Sequence, residues 1–293
     1  MNYLDNKTVI VTGASSGIGA ATAKALAAQG ANVVAASRDK EGLVVLISDL
    51  QGCGHKAVSC VTDVTRAEET QAMAKFASDT YGSVDILVNN AGLMLFSSWV
   101  DLAIRDWHAM VDVNIKGYLN SIAAVLPFMI EQKSGQILNM DSVAGHQVGP
   151  AAGVYSATKF FVQAMTESMR KELGVQHGIR ASTISPGVIN TGWADKVTNP
   201  EGRKAAKALN EIAIAPEDIS RAVIYALNQP ASQRNRQRPD HLANPSGLVT
   251  GQAILIIHKT RVTHQAASPH EQEHQSRSHQ RLHRSYRDRQ PVR

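Results

Sequence analysis

The sequence predicts an α/β fold built on a doubly wound parallel sheet, and three observations lead there. Short apolar, β-branched runs alternate with helical stretches over residues 8–228. The runs are apolar throughout rather than alternating, as strands covered on both faces must be. No linker or internal repeat divides them, so residues 1–232 read as a single domain.

The elements follow in order. Thr8–Thr12 is a buried strand, and the Ala-rich stretch 20–29 is a helix stopped by Gly30. Residues 32–36 form the second strand. Strands at 56–61 and 86–88 flank a helix over 65–81 that Gly82 closes. A long helix is predicted over 102–129, tolerating Gly117 and slowed by Pro127. A fifth strand spans 136–140, a long helix 152–173, and a sixth strand 181–184 that Pro186-Gly187 stops. Residues 216–228 form a helix with Pro at its first position. Residues 188–215 show little periodicity.

Composition narrows the function. The chain has 293 residues, 43% hydrophobic and 19% charged, which excludes wholesale disorder. No run approaches about 18 consecutive apolar residues, so no membrane association is expected. The N-terminus has no leader pattern, which predicts a cytoplasmic protein. Two cysteines, Cys53 and Cys60, are too few for a disulfide framework or a zinc site, and no metal is expected. The net charge of +5 is misleading: residues 233–293 carry 11 Lys/Arg against 4 Asp/Glu, while the rest is net acidic by two. The body therefore gives no reason to expect nucleic-acid binding.

The chemistry starts at the end of the first strand. Thr12-Gly13-Ala14-Ser15-Ser16-Gly17-Ile18-Gly19 joins a strand to a helix, where backbone N–H groups and the helix N-terminus bind a diphosphate. Gly13 permits the turn, Gly17 a close approach to the phosphates and Gly19 close helix packing. Downstream come Asp63-Val64 after the third strand, Asn89-Asn90-Ala91-Gly92 after the fourth, and Asn114. Ser142 follows the fifth strand, Tyr155 and Lys159 open the long helix, and Pro186-Gly187 with Thr191 follow the sixth.

In this order and spacing the set resembles the short-chain dehydrogenase/reductase family, from residue 7 to about 230. The resemblance implies a Rossmann-like fold and an oxidoreductase moving hydride between a nicotinamide cofactor and a carbonyl or alcohol. Ser15, Ser16, Ile18, Asp63, Val64, Asn90, Ala91, Gly92, Pro186, Gly187 and Thr191 would join the glycines in holding the cofactor. Asn114, Ser142, Tyr155 and Lys159 would carry catalysis. Tyr155 would be the general acid or base, and Lys159 would lower its pKa and grip the nicotinamide ribose. Ser142 would bond the substrate oxygen, and Asn114 would hold a water linking Lys159 to solvent. One helical turn separates Tyr155 from Lys159, so both project from one face. The resemblance also implies pairing through helices 102–129 and 152–173 into a homodimer or homotetramer.

The second strand ends Ala36-Ser37-Arg38. A carboxylate there would bond a ribose diol; a guanidinium suits a 2′-phosphate, and Ser37 adds a donor. NADP(H) is therefore expected, with Asp39 turned to solvent as the cap of the next helix. The family often has a second Ser just before the catalytic one, where this chain has Asp141. Its side chain should face away from Ser142, without a catalytic role, and needs a partner if buried. Leu95, His146 and Trp193 are the candidate substrate contacts, with Phe96 and Val148 adding apolar wall, and 188–215 is the expected lid. A small or medium carbonyl or alcohol is the expected substrate.

The end of the chain departs from the pattern. A seventh strand should follow 216–228, yet 233–246 offers none. Residues 251–257 could serve, but late, ahead of a His-, Arg- and Gln-rich tail that reads as largely disordered. Residues 233–250 can be encoded so that the next frame reads a Val/Ile-rich strand, a proline and a stop. A one-nucleotide slip near Ser232 is one reading, testable in the coding DNA; the other is a family variant with 251–257 as its last strand and a basic tail. A catalytically impaired NADP-binding sensor or scaffold is the alternative function; NADPH oxidation against carbonyl compounds separates the two.

Overall fold

The computed structural model describes residues 1–211, 213–230 and 255–257. Its strands are Thr8–Thr12 (β1), Asn32–Ser37 (β2), Ala57–Val61 (β3), Ile86–Asn89 (β4), Gly135–Met140 (β5), Ile179–Pro186 (β6) and Leu255–Ile257 (β7). Its helices are Gly17–Ala28 (α1), Lys40–Gly52 (α2), Ala67–Tyr81 (α3), Ile104–Val111 (α4), Gly117–Gln132 (α5), Gly153–His177 (α6), Pro200–Asn210 (α7) and Pro216–Leu227 (α8). All sheet pairs are parallel, in the order β3-β2-β1-β4-β5-β6-β7. This is the expected doubly wound, Rossmann-like sheet.

The strands are apolar on both faces because both are covered. Val9, Val11, Val33 and Val88 pack with Leu26, Leu43 and Val223 on one side. Ile10, Val34, Leu87 and Ile137 pack with Met73, Val125 and Met129 on the other. Along the chain the sheet grows outward from β1 through β2 to β3, then restarts at β4 on the other side. At such a reversal the helices on the two faces diverge, opening a crevice beyond the carboxyl ends of the strands.

Three differences from the sequence reading matter. The expected helix 102–129 is two helices joined by a π-helical turn, Asp112–Lys116, which carries Asn114. Such wide turns hold one residue more than α-helix would and often mark functional sites. The segment 188–215 contains α7. Its start signal was present in Asn199-Pro200: Pro200 opens the helix, and Asn199 Oδ1 accepts from Gly202 N at 2.8 Å. Finally, Leu255–Ile257 pairs with Ile184–Pro186 as a seventh strand, although it belongs to the segment set apart from 1–232. The remainder of 233–293, with the expected polar tail and frame slip, lies outside the described residues.

Among the described residues one helical stretch, Ile104–Gln132, is long and apolar enough to cross a membrane, and half of it is buried in the fold. Cys53 is exposed and Cys60 half-buried; both are free thiols.

Candidate active site

Below the crevice, the glycine turn is fixed by β4. Thr12 Oγ1 accepts from Asn90 N (2.9 Å) and Ala91 N (3.0 Å), and Asn90 Nδ2 donates to Thr12 O at 2.9 Å. Asn90 thus spends its side chain on the turn. Two glycines are required here. Gly17 has φ +54°, and a Cβ on it would stand 2.9 Å from Thr191 Cβ. A Cβ on Gly19 would collide with Gly13 O, so Gly19 packs against the turn itself. Ser16, at the N-terminus of α1, makes no side-chain capping bond, which leaves the first N–H groups of the helix for an anion.

The turn forms one end of a cavity of about 800 Å³. Its walls include Gly13, Ser15, Ser16, Gly17, Ile18, Ser37, Arg38, Asp63, Val64, Asn90, Ala91 and Gly92, then Ser142, Tyr155, Lys159, Pro186, Gly187 and Thr191. Of the expected cofactor contacts only Gly19 lies behind the wall, for the packing reason just given. The turn, its backbone donors and the cavity volume fit a dinucleotide. At the second strand, Ser37 Oγ lies 3.0 Å from Ser15 Oγ, and the exposed Arg38 guanidinium is 3.7 Å from Asp63. Asp39 is exposed and caps α2 as expected, accepting from Gly42 N at 3.0 Å, and it also lines the cavity beside Arg38.

At the far end, β5 delivers Ser142 and α6 delivers Tyr155 and Lys159. Ser142 Oγ accepts from Ala144 N at 3.1 Å, which leaves its proton free to donate. Lys159 Nζ donates to Met140 O at 2.8 Å, stands 5.8 Å from the Tyr155 ring centre, and is buried. Two further donors remain on this ammonium. Tyr118, which the sequence reading missed, donates to the same Met140 O at 2.8 Å and lies 5.3 Å from Lys159 Nζ. Spacing gave no hint of it; only its fully buried position on α5 does.

One electrostatic expectation is corrected. Tyr155 is not lowered: burial pushes its phenol up to about 12, against the pull of a hydrogen bond with Ser142 and with help from Asp141. Burial likewise pulls Lys159 down to about 8. Low polarity disfavours charge on both groups, so the phenol holds its proton at neutral pH.

Asn114 lies fully buried in the π-helical turn. Its Oδ1 accepts from Leu93 N (2.8 Å), and its Nδ2 donates to Leu93 O (2.8 Å) and Thr158 Oγ1 (3.1 Å). The amide therefore pins the strand-4 loop to α6, and one acceptor lone pair remains for the expected water.

Leu95, Phe96, Val148 and Trp193 line the substrate end, with Met94, Gln147 and Ile189 beside them. Trp193 meets Phe96 edge to face at 5.5 Å. The last three went unnoticed because loop residues carry no periodic signal. His146 is a second correction: it does not line the cavity. Its ring faces Ser185 Oγ (2.9 Å) and the buried Asp141 carboxylate (3.3 Å). Among the described residues no cluster of His, Cys, Asp or Glu could hold a metal ion.

With this geometry in view, the comparisons agree. The short chain dehydrogenase family model matches residues 7–202. An uncharacterized oxidoreductase of Staphylococcus saprophyticus is 42% identical over 232 residues, which is 78% of this chain and 93% of that one. Among solved structures, a Burkholderia phymatum short-chain dehydrogenase/reductase in complex with NAD superposes with a TM-score of 0.73 at 27% identity, covering 80% of this chain and 88% of that one. The closed form of a serine dehydrogenase complexed with NADP+ gives 0.70 at 32% identity, covering 76% and 90%. The chain belongs to the short-chain dehydrogenase/reductase family and is a nucleotide-binding oxidoreductase.

Proposed function

We propose that the protein is a cytoplasmic NADP(H)-dependent oxidoreductase that interconverts an uncharged carbonyl compound and its alcohol. The observation that carries this reading is that Ser142, Tyr155 and Lys159 share one cavity with the glycine turn. A bound nicotinamide cofactor would supply the hydride for the carbonyl carbon, or accept it from the alcohol. Tyr155 gives its phenolic proton to the carbonyl oxygen, or recovers it in the reverse direction. Ser142 donates a hydrogen bond to the same oxygen and so orients it. Lys159, fixed through Met140 O, keeps two donors that would hold the nicotinamide ribose. Asn114 holds the Leu93 loop and bonds the water that connects the lysine to solvent.

Arg38 and Ser37 support NADP(H) over NAD(H): both line the cavity at the end of β2, and an exposed guanidinium and a hydroxyl are donors suited to a 2′-phosphate. The serine dehydrogenase, a neighbour above 30% identity, was solved with NADP+. The apolar substrate end supports a neutral substrate. Ile104, Leu119, Ile130 and Phe160 are exposed apolar side chains on α4, α5 and α6; they suit burial against a second copy in a homodimer or homotetramer.

The test is NADPH oxidation with a panel of aldehydes and ketones, and NADP+ reduction with the matching alcohols. Tyr155→Phe should lose at least about a thousandfold in turnover while holding NADPH nearly as tightly, by fluorescence titration. Loss of binding alongside turnover assigns the tyrosine to structure. A protein that binds NADPH but turns over nothing is a sensor.

A further inference from the structure

Asp141 is a buried carboxylate that the proton transfer just described does not use. It follows the last residue of β5 and directly precedes Ser142. Its side chain is fully buried. Oδ2 accepts from Ser185 Oγ at 2.9 Å and from Gln163 Nε2, and His146 Nε2 stands 3.3 Å away. Oδ1 is buried with no hydrogen-bond partner among the described residues. An ionised carboxylate with a bare oxygen in the interior is costly unless a cation faces it.

The groups around it can be named element by element. From α6 come Lys159 and Tyr155, and from α5 the phenol of Tyr118. The loop after β5 supplies His146, and β6 only the neutral Ser185. Lys159 is the interior cation, and its ammonium is bonded to the carbonyl of Met140, the residue just before Asp141. His146, about a quarter exposed, sits between the carboxylate and solvent.

We propose that Asp141 is a positioning residue for proton transfer: its buried negative charge holds the proton on the Tyr155–Lys159 pair, with His146 as its partner on the solvent side. The proposal rests on the reading of Tyr155 as the proton-transfer group. Burial sets the net direction on each group, raising Tyr155 and Asp141 and lowering Lys159; within that, the Asp141 charge acts to raise both Tyr155 and Lys159, while hydrogen bonds from Gln163 and Ser185 and the charge of Lys159 favour the ionised Asp141. For two coupled groups, a neighbouring negative charge raises the pH at which the first proton leaves, whichever group releases it.

The sign of the experiment follows. Alcohol oxidation needs the pair to have lost a proton, so its rate climbs with pH along an acid limb. In Asp141→Asn and Asp141→Ser that limb should move to lower pH by about one unit, a roughly tenfold higher fraction of maximal rate below it. The measurement is the pH profile of kcat for NADP+ reduction by the best alcohol of the panel, with NADPH affinity followed in parallel. A purely structural role lowers kcat at every pH and leaves the limb in place. An unmoved limb in a folded, cofactor-binding variant overturns the proposal, as does failure of both variants to fold. A fully active Tyr155→Phe would instead sink the reading beneath it.

Discussion

The two ends of the cavity are built by different means. At the nucleotide end, backbone does the work: a turn whose glycines leave no room for Cβ atoms, held to β4 by Thr12 and Asn90. At the reaction end, side chains do it. Tyr118 and Lys159 share Met140 O, Asn114 ties Leu93 to Thr158, and Asp141 gathers Gln163, Ser185 and His146. Binding an anion common to many enzymes needs only correctly pointed N–H groups. Moving a proton needs tuned charges, and those come from buried polar groups.

The contrast can be broken at either end. The largest effect is the loss of turnover in Tyr155→Phe, described above, which should leave the nucleotide end intact. Next comes Gly19→Val, whose side chain would meet Gly13 O. It should weaken NADPH binding by about a hundredfold or more, or lower Tm sharply, since the turn cannot close around a branched side chain. Arg38→Asp should sharpen the division by moving only the cofactor choice. The ratio of kcat/KM for NADPH over NADH should fall by about 10- to 100-fold, with little change in kcat; an unchanged ratio removes Arg38 from the 2′-phosphate. The pH profile of carbonyl reduction probes the other end. Lys159 at about 8 loses its charge as pH rises through that value, so reductive kcat/KM should decline above pH 8 while NADPH affinity changes by a few-fold. Asn114→Ala gives the smallest effect on stability, about 1–3 kcal/mol from unpaired Leu93 backbone groups and Thr158, read as a lower Tm; kcat should fall with it, because the water that connects Lys159 to solvent loses its holder.

The nucleotide end was almost wholly legible in the sequence, because turns and strands are local. Gly13, Gly17 and Gly19 stand in contiguous chain, and the apolar runs around them admit one architecture. Ser142, Tyr155 and Lys159 were legible through spacing and resemblance. The charge balance among them was not: the lowered phenol expected of Tyr155 ignored burial, which depends on Tyr118, Met140 and Asp141 arriving from other elements. His146 was misplaced for the same reason, as its partner Ser185 is 39 residues away. The π-helical turn at Asp112–Lys116 left no mark, since one added residue in a helix changes neither the residue types nor the apolar pattern enough to read. Within residues 233–293 the late strand that the sequence offered at 251–257 is present as Leu255–Ile257, paired with β6; sequencing of the coding DNA tests the frame slip near Ser232 against it.

That wide turn makes residue count itself part of the machinery. Each residue of a regular helix rotates the chain by about 100°, and a π-turn absorbs one residue without advancing a full step. Deleting any single position between Trp107 and Tyr118 would tighten the coil and swing Asn114 off Leu93, or Tyr118 off Met140, even with every named side chain kept. A relative one residue shorter in this stretch should therefore be sorted apart from this protein, however well its fingerprints agree.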